Sequence, residues 1–134
     1  MFQYSKKVMQ HFMHPKNVGK IENADGVGKG GNPRCGDIMY LYIKIGKKKI
    51  KGKEVEYIKD IKFETLGCAA AIAVSSMLTE LVKGKTLEEA EKITDQKVVS
   101  SLGELPHTKY HCSVLGEETL KRAIEDYRKK SGKN

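Results

Sequence analysis

Two segments near the middle of the chain alternate between apolar and polar residues. Every second residue is apolar across 39–45, and a second alternating run covers 55–63, although Ile58 interrupts it. Alternation with a period of two is typical of a strand that buries one face. Because the lysine- and glycine-rich stretch 46–53 separates the two runs, the pattern predicts an antiparallel β-hairpin with its turn in that stretch.

Apolar residues repeat with the period of a helix on both sides of this hairpin. The spacing predicts one helix between residues 5 and 15, another over 68–83, and a last helix that begins between 113 and 117. A capping-box signature, Thr-Leu-Glu-Glu at 86–89, opens a short helix, and a further short helix is expected over 95–102.

The segment between the first helix and the hairpin is rich in glycine. Residues 17–36 contain six glycines and no periodic pattern, so a long loop is expected there. The chain is therefore expected to form a single α+β domain over 1–134, with a small antiparallel sheet of about three strands and helices packed over it. The extreme ends, about 1–4 and 129–134, are expected to be flexible.

Composition and charge narrow the classes of function. With 39% hydrophobic and 31% charged residues, the chain should fold rather than remain disordered. It contains no apolar run long enough to cross a membrane and no recognisable signal peptide, which predicts a cytoplasmic protein. The formal net charge of +8 favours acidic partners. The lysines of 46–53 match no nucleic-acid-binding motif and are interpreted as a solvated turn, so a nucleic-acid partner is not expected.

Three cysteines carry the candidate chemistry. Cys35 ends the glycine-rich loop, Cys68 lies at a strand-to-helix junction, and Cys112 precedes the last helix. A disulfide framework would leave one thiol over, and the absence of a C-x-x-C pair excludes zinc ribbons and ferredoxin-type sites. A lone cysteine is often a small buried apolar residue, but three at element ends favour metal ligands or reactive thiolates. Helix N-termini would lower the thiol pKa of Cys68 and Cys112.

Two further side chains adjoin these cysteines. Asp37 follows Cys35 by two positions, and residues two apart on an extended chain point the same way. His111 directly precedes Cys112. Carboxylate and imidazole join thiolates in zinc and iron sites. The candidate metal ligands are therefore Cys35, Asp37, Cys68, His111 and Cys112, with the choice of Asp37 or His111 as fourth ligand left open.

Four segments around these residues carry a resemblance to a known family. They are YSKKVMQHFMHPKNVG near the N-terminus, NPRCGD, GCAAAIAVSS and KYHCSVLGEETL. The sequences of these segments and their order resemble those of the iron–sulfur cluster assembly scaffolds of the IscU family and of the N-terminal domain of NifU. The resemblance covers almost the whole chain.

The resemblance implies a scaffold without enzymatic turnover of its own. Such a scaffold assembles a transient [2Fe–2S] cluster from ferrous iron and from sulfur delivered as persulfide by a cysteine desulfurase, and then passes the cluster to acceptor apoproteins. Cys35, Cys68 and Cys112 would bind the nascent cluster, and Cys112 would also accept the persulfide sulfur. Asp37 would be an iron ligand or a labilising group, and His111 an alternative ligand.

The same resemblance bears on partners and on a second interpretation. Many members carry Leu-Pro-Pro-Val-Lys where an Hsp70-type chaperone binds, whereas residues 105–109 here read LPHTK, which puts chaperone use in doubt. Tyr4 matches a tyrosine associated with dimer contacts, and the choice between homodimer and trimer is open. The alternative is a SUF-type, zinc-binding sulfur acceptor. That branch has an insertion before its second-cysteine helix and lacks a histidine at the position of His111. Neither feature is evident in this sequence, which favours the scaffold. Zinc is nevertheless compatible with the same ligands.

Overall fold

The computed structural model describes residues 5–32, 36–103, 105 and 110–132, the side chains of Asn32 and His111 excepted. Within these residues the chain forms three strands and five helices. In order they are α1 (Lys6–Met13), β1 (Gly26–Asn32), β2 (Asp37–Ile50), β3 (Lys53–Leu66), α2 (Ala69–Val82), α3 (Leu87–Glu91), α4 (Asp95–Ser101) and α5 (Tyr110–Lys130). The strands form one antiparallel sheet in the order β1–β2–β3, which confirms the expected α+β class.

The helices cover one face of this sheet. Helix α5 packs on β1 and β2, α2 packs on β3 and against α5, and α1 packs on α2. The residues of β2 that face this layer, Met39, Leu41 and Ile43, are fully buried, as the alternating pattern predicts. Helices in the described part of the chain lack the combination of length and apolarity that crossing a membrane requires.

The hairpin of β2 and β3 is longer than the sequence indicates. The chain reverses at Lys51 and Gly52, both with positive φ, so the predicted turn over 46–53 is wrong except at its end. Lys47, Lys48 and Lys49 continue the strand ladder with their side chains exposed to solvent. Ile58 falls outside the alternating pattern because the pairing register shifts between Lys44 and Ile45. At this shift β3 has one extra residue, which forms a β-bulge. The bulge allows apolar residues before and after it to face the core.

The glycine-rich segment contains a strand, so the predicted loop over 17–36 is wrong for β1. Pattern analysis misses this strand because it has few side chains that could alternate. A Cβ atom at Gly26 or Gly28 would overlap a backbone carbonyl oxygen of α5, that of Ala123 or Thr119 respectively. The glycines thus allow the helix backbone to lie directly against the strand.

Helix α5 begins at Tyr110, earlier than the predicted start at 113–117. The hydroxyl of Ser113 donates a hydrogen bond to the carbonyl of Tyr110. Ser113 therefore lies within the first turn of the helix and does not cap it. Cys112 therefore lies inside this helix and not before it. The apolar stripe predicted for the helix is confirmed, since Leu120, Ala123 and Ile124 are all buried.

The other helix starts agree with the sequence. Ser5 caps α1 by accepting a hydrogen bond from the amide of Val8. Thr86 and Glu89 form the predicted capping box at α3, with side chain and backbone bonded in both directions. Each of these caps satisfies amide groups that a helix leaves unpaired at its N-terminus.

Candidate metal centre

Three side chains from distant parts of the chain converge at one end of the sheet. Asp37 is the first residue of β2, Cys68 immediately precedes α2, and Cys112 lies in the first turn of α5. One ligand atom from each, a carboxylate oxygen and two sulfurs, lies within 4.8 Å of the others. The sheet and its two longest helices thus each place one donor atom in a shared site.

Asp37 is held inside the protein, where its side chain meets the two thiols. The residue is only 3% exposed. Its Oδ2 accepts a hydrogen bond from the Cys112 thiol, with a sulfur–oxygen distance of 3.6 Å. A buried carboxylate is unfavourable unless hydrogen bonds or cations compensate for the lost hydration. The arrangement therefore favours the arrival of a positive charge.

The two cysteines differ in their exposure. Cys112 is fully buried, whereas Cys68 is partly accessible at the N-cap position of α2. The side chain of Cys68 makes no capping hydrogen bond to its own helix. Its sulfur is therefore oriented toward the site and not toward the helix amides.

Burial raises the pKa of the Cys112 thiol, and the negative charges of Cys68 and Asp37 raise it further. The expectation that the helix N-terminus would lower this pKa is therefore wrong for Cys112. Loss of water around the sulfur, together with repulsion from two acidic neighbours, outweighs the helix dipole. A bound metal cation would reverse this balance, because metal ions stabilise coordinating thiolates.

The structure brings three of the predicted ligands together, namely Asp37, Cys68 and Cys112, and their binding of a metal stays a prediction. Cys35 and the side chain of His111 lie outside the described residues, and their roles stay predictions as well. Tyr4 and residues 106–109 of the LPHTK segment also lie outside them.

The donor atoms suit a thiophilic metal ion. Thiolate sulfur and carboxylate oxygen are both ligands of zinc, and thiolates hold iron–sulfur clusters. Ligand atoms around one tetrahedral zinc lie about 3–4 Å apart, given zinc–sulfur bonds of about 2.3 Å. The observed separations need only a small contraction to reach that range. Three donors leave room for at least one more ligand.

Gly67, which sequence reasoning missed, also belongs to this site. A Cβ atom on this residue would lie 2.6 Å from Asp37 Oδ1. The sequence signal for Gly67 is a glycine directly before a cysteine at a strand-to-helix junction. The sequence does not indicate that the Asp37 carboxylate occupies the space beside this glycine.

Comparison with known proteins decides the family. The sequence matches the family described as the NifU-like N-terminal domain over residues 3–134. The chain belongs to this family. The match confirms the resemblance noted from the four sequence segments.

Relatives of this NifU-like domain are similar over nearly all of its length. It is 58% identical over 130 residues to a protein of Archaeoglobus fulgidus named iron–sulfur cluster assembly scaffold protein IscU 1, covering 97% of this chain and 80% of that protein. It is 49% identical over 132 residues to the Aquifex aeolicus protein named iron–sulfur cluster assembly scaffold protein IscU, with coverage of 98% and 80%.

A solved structure shares the fold. A protein of Fervidobacterium islandicum AW-1, described as an iron–sulfur cluster assembly scaffold for the SUF system, superposes with a TM-score of 0.66 at 30% identity. The match covers 90% of this chain and 96% of that protein.

Proposed function

We propose that this NifU-like domain is a scaffold for iron–sulfur cluster assembly, on which iron and sulfide are combined into a transient [2Fe–2S] cluster. The observation that carries the proposal is the convergence of Asp37, Cys68 and Cys112 from three separate elements. Relatives that are 49–58% identical bear the name of such scaffolds. Iron and sulfide are the cargo of the protein, and Cys35 and His111 are the proposed further ligands.

The chemistry of the site fits temporary binding. A permanent ferredoxin-type cluster is held by four thiolates. Here one donor is a carboxylate, a harder ligand that exchanges more readily than a thiolate on iron. The scaffold would thus hold the cluster through its cysteines and release it through the weaker ligand, without catalysing a reaction of its own.

Sulfur would arrive from a cysteine desulfurase. The thiolate of Cys112 would attack the terminal sulfur of the desulfurase persulfide, and the desulfurase cysteine would leave as a thiolate. This attack requires Cys112 to lose a proton that burial holds on the sulfur. Asp37 Oδ2 accepts the hydrogen bond from that thiol, but its negative charge disfavours the thiolate; iron bound beside Asp37 would reverse this effect and let the proton leave to water. Reduction of the bound sulfur to sulfide would require two electrons from an external donor.

Anaerobic reconstitution tests the proposal. The protein is incubated with a cysteine desulfurase, free cysteine, ferrous iron and a thiol reductant that supplies the electrons for sulfide formation, and bound iron, bound sulfide and visible absorption are measured. Wild type should bind iron and sulfide in equal amounts, whereas Cys68→Ser and Cys112→Ser should lose most of both. Ser113→Ala is the matched control, because Ser113 is buried beside Cys112 and bonds to the Tyr110 carbonyl. A wild type without bound iron and sulfide, or cysteine variants that assemble clusters normally, would refute the scaffold.

Asp37→Ala gives a directional prediction. If the carboxylate is the exchangeable ligand or opens a route to acceptors, its removal should lengthen the lifetime of the assembled cluster several-fold. The decay of visible absorption after addition of a chelator measures this lifetime. A cluster that decays faster in Asp37→Ala than in wild type would contradict the proposed role.

A second candidate function is a zinc-binding sulfur acceptor of the SUF type. The similarity to the Fervidobacterium structure and the suitability of two thiolates and a carboxylate for zinc favour it. This function predicts that the zinc-loaded protein accelerates desulfurase turnover and assembles no cluster. Desulfurase turnover measured with zinc-loaded and zinc-free protein, alongside the reconstitution, separates the two.

A further inference from the structure

Gly67 occupies the junction between β3 and α2, directly before Cys68. Its φ angle is not positive, so the backbone conformation itself does not require glycine. The requirement comes from the space around it. A Cβ atom at this position would lie 2.6 Å from Asp37 Oδ1, 3.1 Å from Asp37 Cγ and 2.9 Å from the Cβ of Ala71. Two of these distances are shorter than side chains tolerate, so a methyl group has no room here.

The crowding comes from both sides. Ala71 belongs to the first turn of α2, so its Cβ atom moves only if the helix moves. The carboxylate of Asp37 is buried and bonded to the Cys112 thiol. A methyl group at position 67 would either turn the carboxylate away from Cys112 or widen the junction that carries Cys68. Either displacement changes the distance between an oxygen donor and a sulfur donor.

We propose that Gly67 is a positioning residue for the metal centre, whose missing side chain leaves the space that holds the Asp37 carboxylate against the two thiols. The inference rests on the proposed function insofar as Asp37 serves as a metal ligand. It adds a residue that touches no metal itself and acts through Asp37.

Cobalt(II) binding tests whether Gly67 affects the metal centre. Cobalt(II) binds to the same kinds of site as zinc, and its visible spectrum depends on the ligands. Under anaerobic conditions Gly67→Ala should weaken cobalt affinity by about 10-fold, the loss typical of residues that orient a metal ligand. Its spectrum should shift in the same direction as that of Asp37→Ala. Gly31→Ala is the matched control, since a Cβ there would meet only the Asp37 backbone oxygen, at an ordinary 3.6 Å.

The double variant separates positioning from a general packing defect. In the Asp37→Ala background the carboxylate is gone and only the 2.9 Å approach to the Ala71 Cβ remains, so Gly67→Ala should change cobalt affinity less than 3-fold. A fully additive loss in the double variant, or a Gly67→Ala protein with wild-type affinity and spectrum, would overturn the proposal.

Urea unfolding of wild type, Gly67→Ala, Asp37→Ala and the double variant, all without metal, keeps this inference distinct from the proposed function. Gly67→Ala should lower the urea midpoint of the metal-free protein, and Asp37→Ala should remove at least half of that loss. If wild type binds no cobalt, the proposed function fails, and this unfolding cycle still decides whether Gly67 positions Asp37. An equal loss of urea midpoint in both backgrounds would refute the positioning role.

Discussion

Gly28→Ala should destabilise the protein strongly although it adds a single methyl group to a short strand. The added Cβ would overlap the carbonyl oxygen of Thr119 and would lie 2.7 Å from the amide nitrogen of Ala123. Both atoms belong to the backbone of α5, so no side-chain rotation can relieve the contact. Strand β1 and helix α5 would have to separate.

The structure sets the size of this effect. The closest approach of the added Cβ would be to the Thr119 carbonyl oxygen, where restoring an ordinary contact distance of 3.4 Å requires a separation of about 1.2 Å. A gap of that size removes about half or more of the attraction between the atoms that were in contact. Overpacking substitutions typically cost about 1–3 kcal/mol, and the rigid backbone partner places Gly28→Ala near 3 kcal/mol. That is a large part of a total stability on the order of 5–15 kcal/mol.

Urea unfolding with the matched variant Gly31→Ala measures the effect. Gly31 lies in the same strand, but a Cβ there would meet its nearest neighbour at 3.6 Å. Gly31→Ala should therefore be neutral or stabilise by about 0.5 kcal/mol through reduced backbone entropy of the unfolded chain. Gly28→Ala should lower the midpoint without changing the slope. A loss below about 1 kcal/mol, or equal losses in both variants, would show that the helix backbone does not limit this strand.

Two further predictions concern titration and capping. Burial lowers the pKa of His11 below its ordinary 6.5, so the unfolded chain binds the proton more readily and stability should fall as pH decreases below 6.5. His11→Asn, which can still form a hydrogen bond with Ser76, should flatten the pH dependence of the urea midpoint below pH 6.5; an unchanged pH dependence in His11→Asn would contradict this. Thr86→Ala should lose about 1 kcal/mol of unfolding free energy and Thr86→Ser much less; equal stability of both variants would show that the capping box contributes little.

Much of the fold could be predicted because its signals are local. Strand alternation in 39–45 depends only on which face is buried, and the capping box at Thr86 needs only residues three positions apart. Helix α2 follows from a run of good helix formers that ends at Gly84, which has positive φ. None of these elements depends on a distant partner for its recognition.

The errors occur where a distant partner decides the structure. Strand β1 has almost no alternating side chains, and only the backbone of α5 explains why it is glycine-rich. The bulge opposite Lys44 and Ile45 arises from pairing between two strands and leaves only the irregular position of Ile58 in the sequence. The late predicted start of α5 is the exception, because it is a local error: Ser113 resembles a helix cap but bonds to Tyr110 within the first turn.

The same division holds for the candidate site. The residue types and their positions at element ends suggested metal ligands, and three of the five predicted ligands meet within 4.8 Å. The direction of the Cys112 pKa shift was wrong because it depends on Cys68 and Asp37, which are far away in sequence. Local rules include the helix N-terminus but not these neighbours, and here the neighbours and burial dominate.

The glycines of β1 and Gly67 both bear on the distance between the Cys112 sulfur and the Asp37 carboxylate. Strand β1 pairs with the beginning of β2, where Asn32 lies opposite Asp37. Because the glycines of β1 bring the backbone of α5 against the strand, the first turn of α5 carries Cys112 toward Asp37. Gly67 then leaves the space in which the carboxylate can face that thiol. The geometry of the candidate metal centre therefore depends also on positions that carry no side chain and provide no ligand.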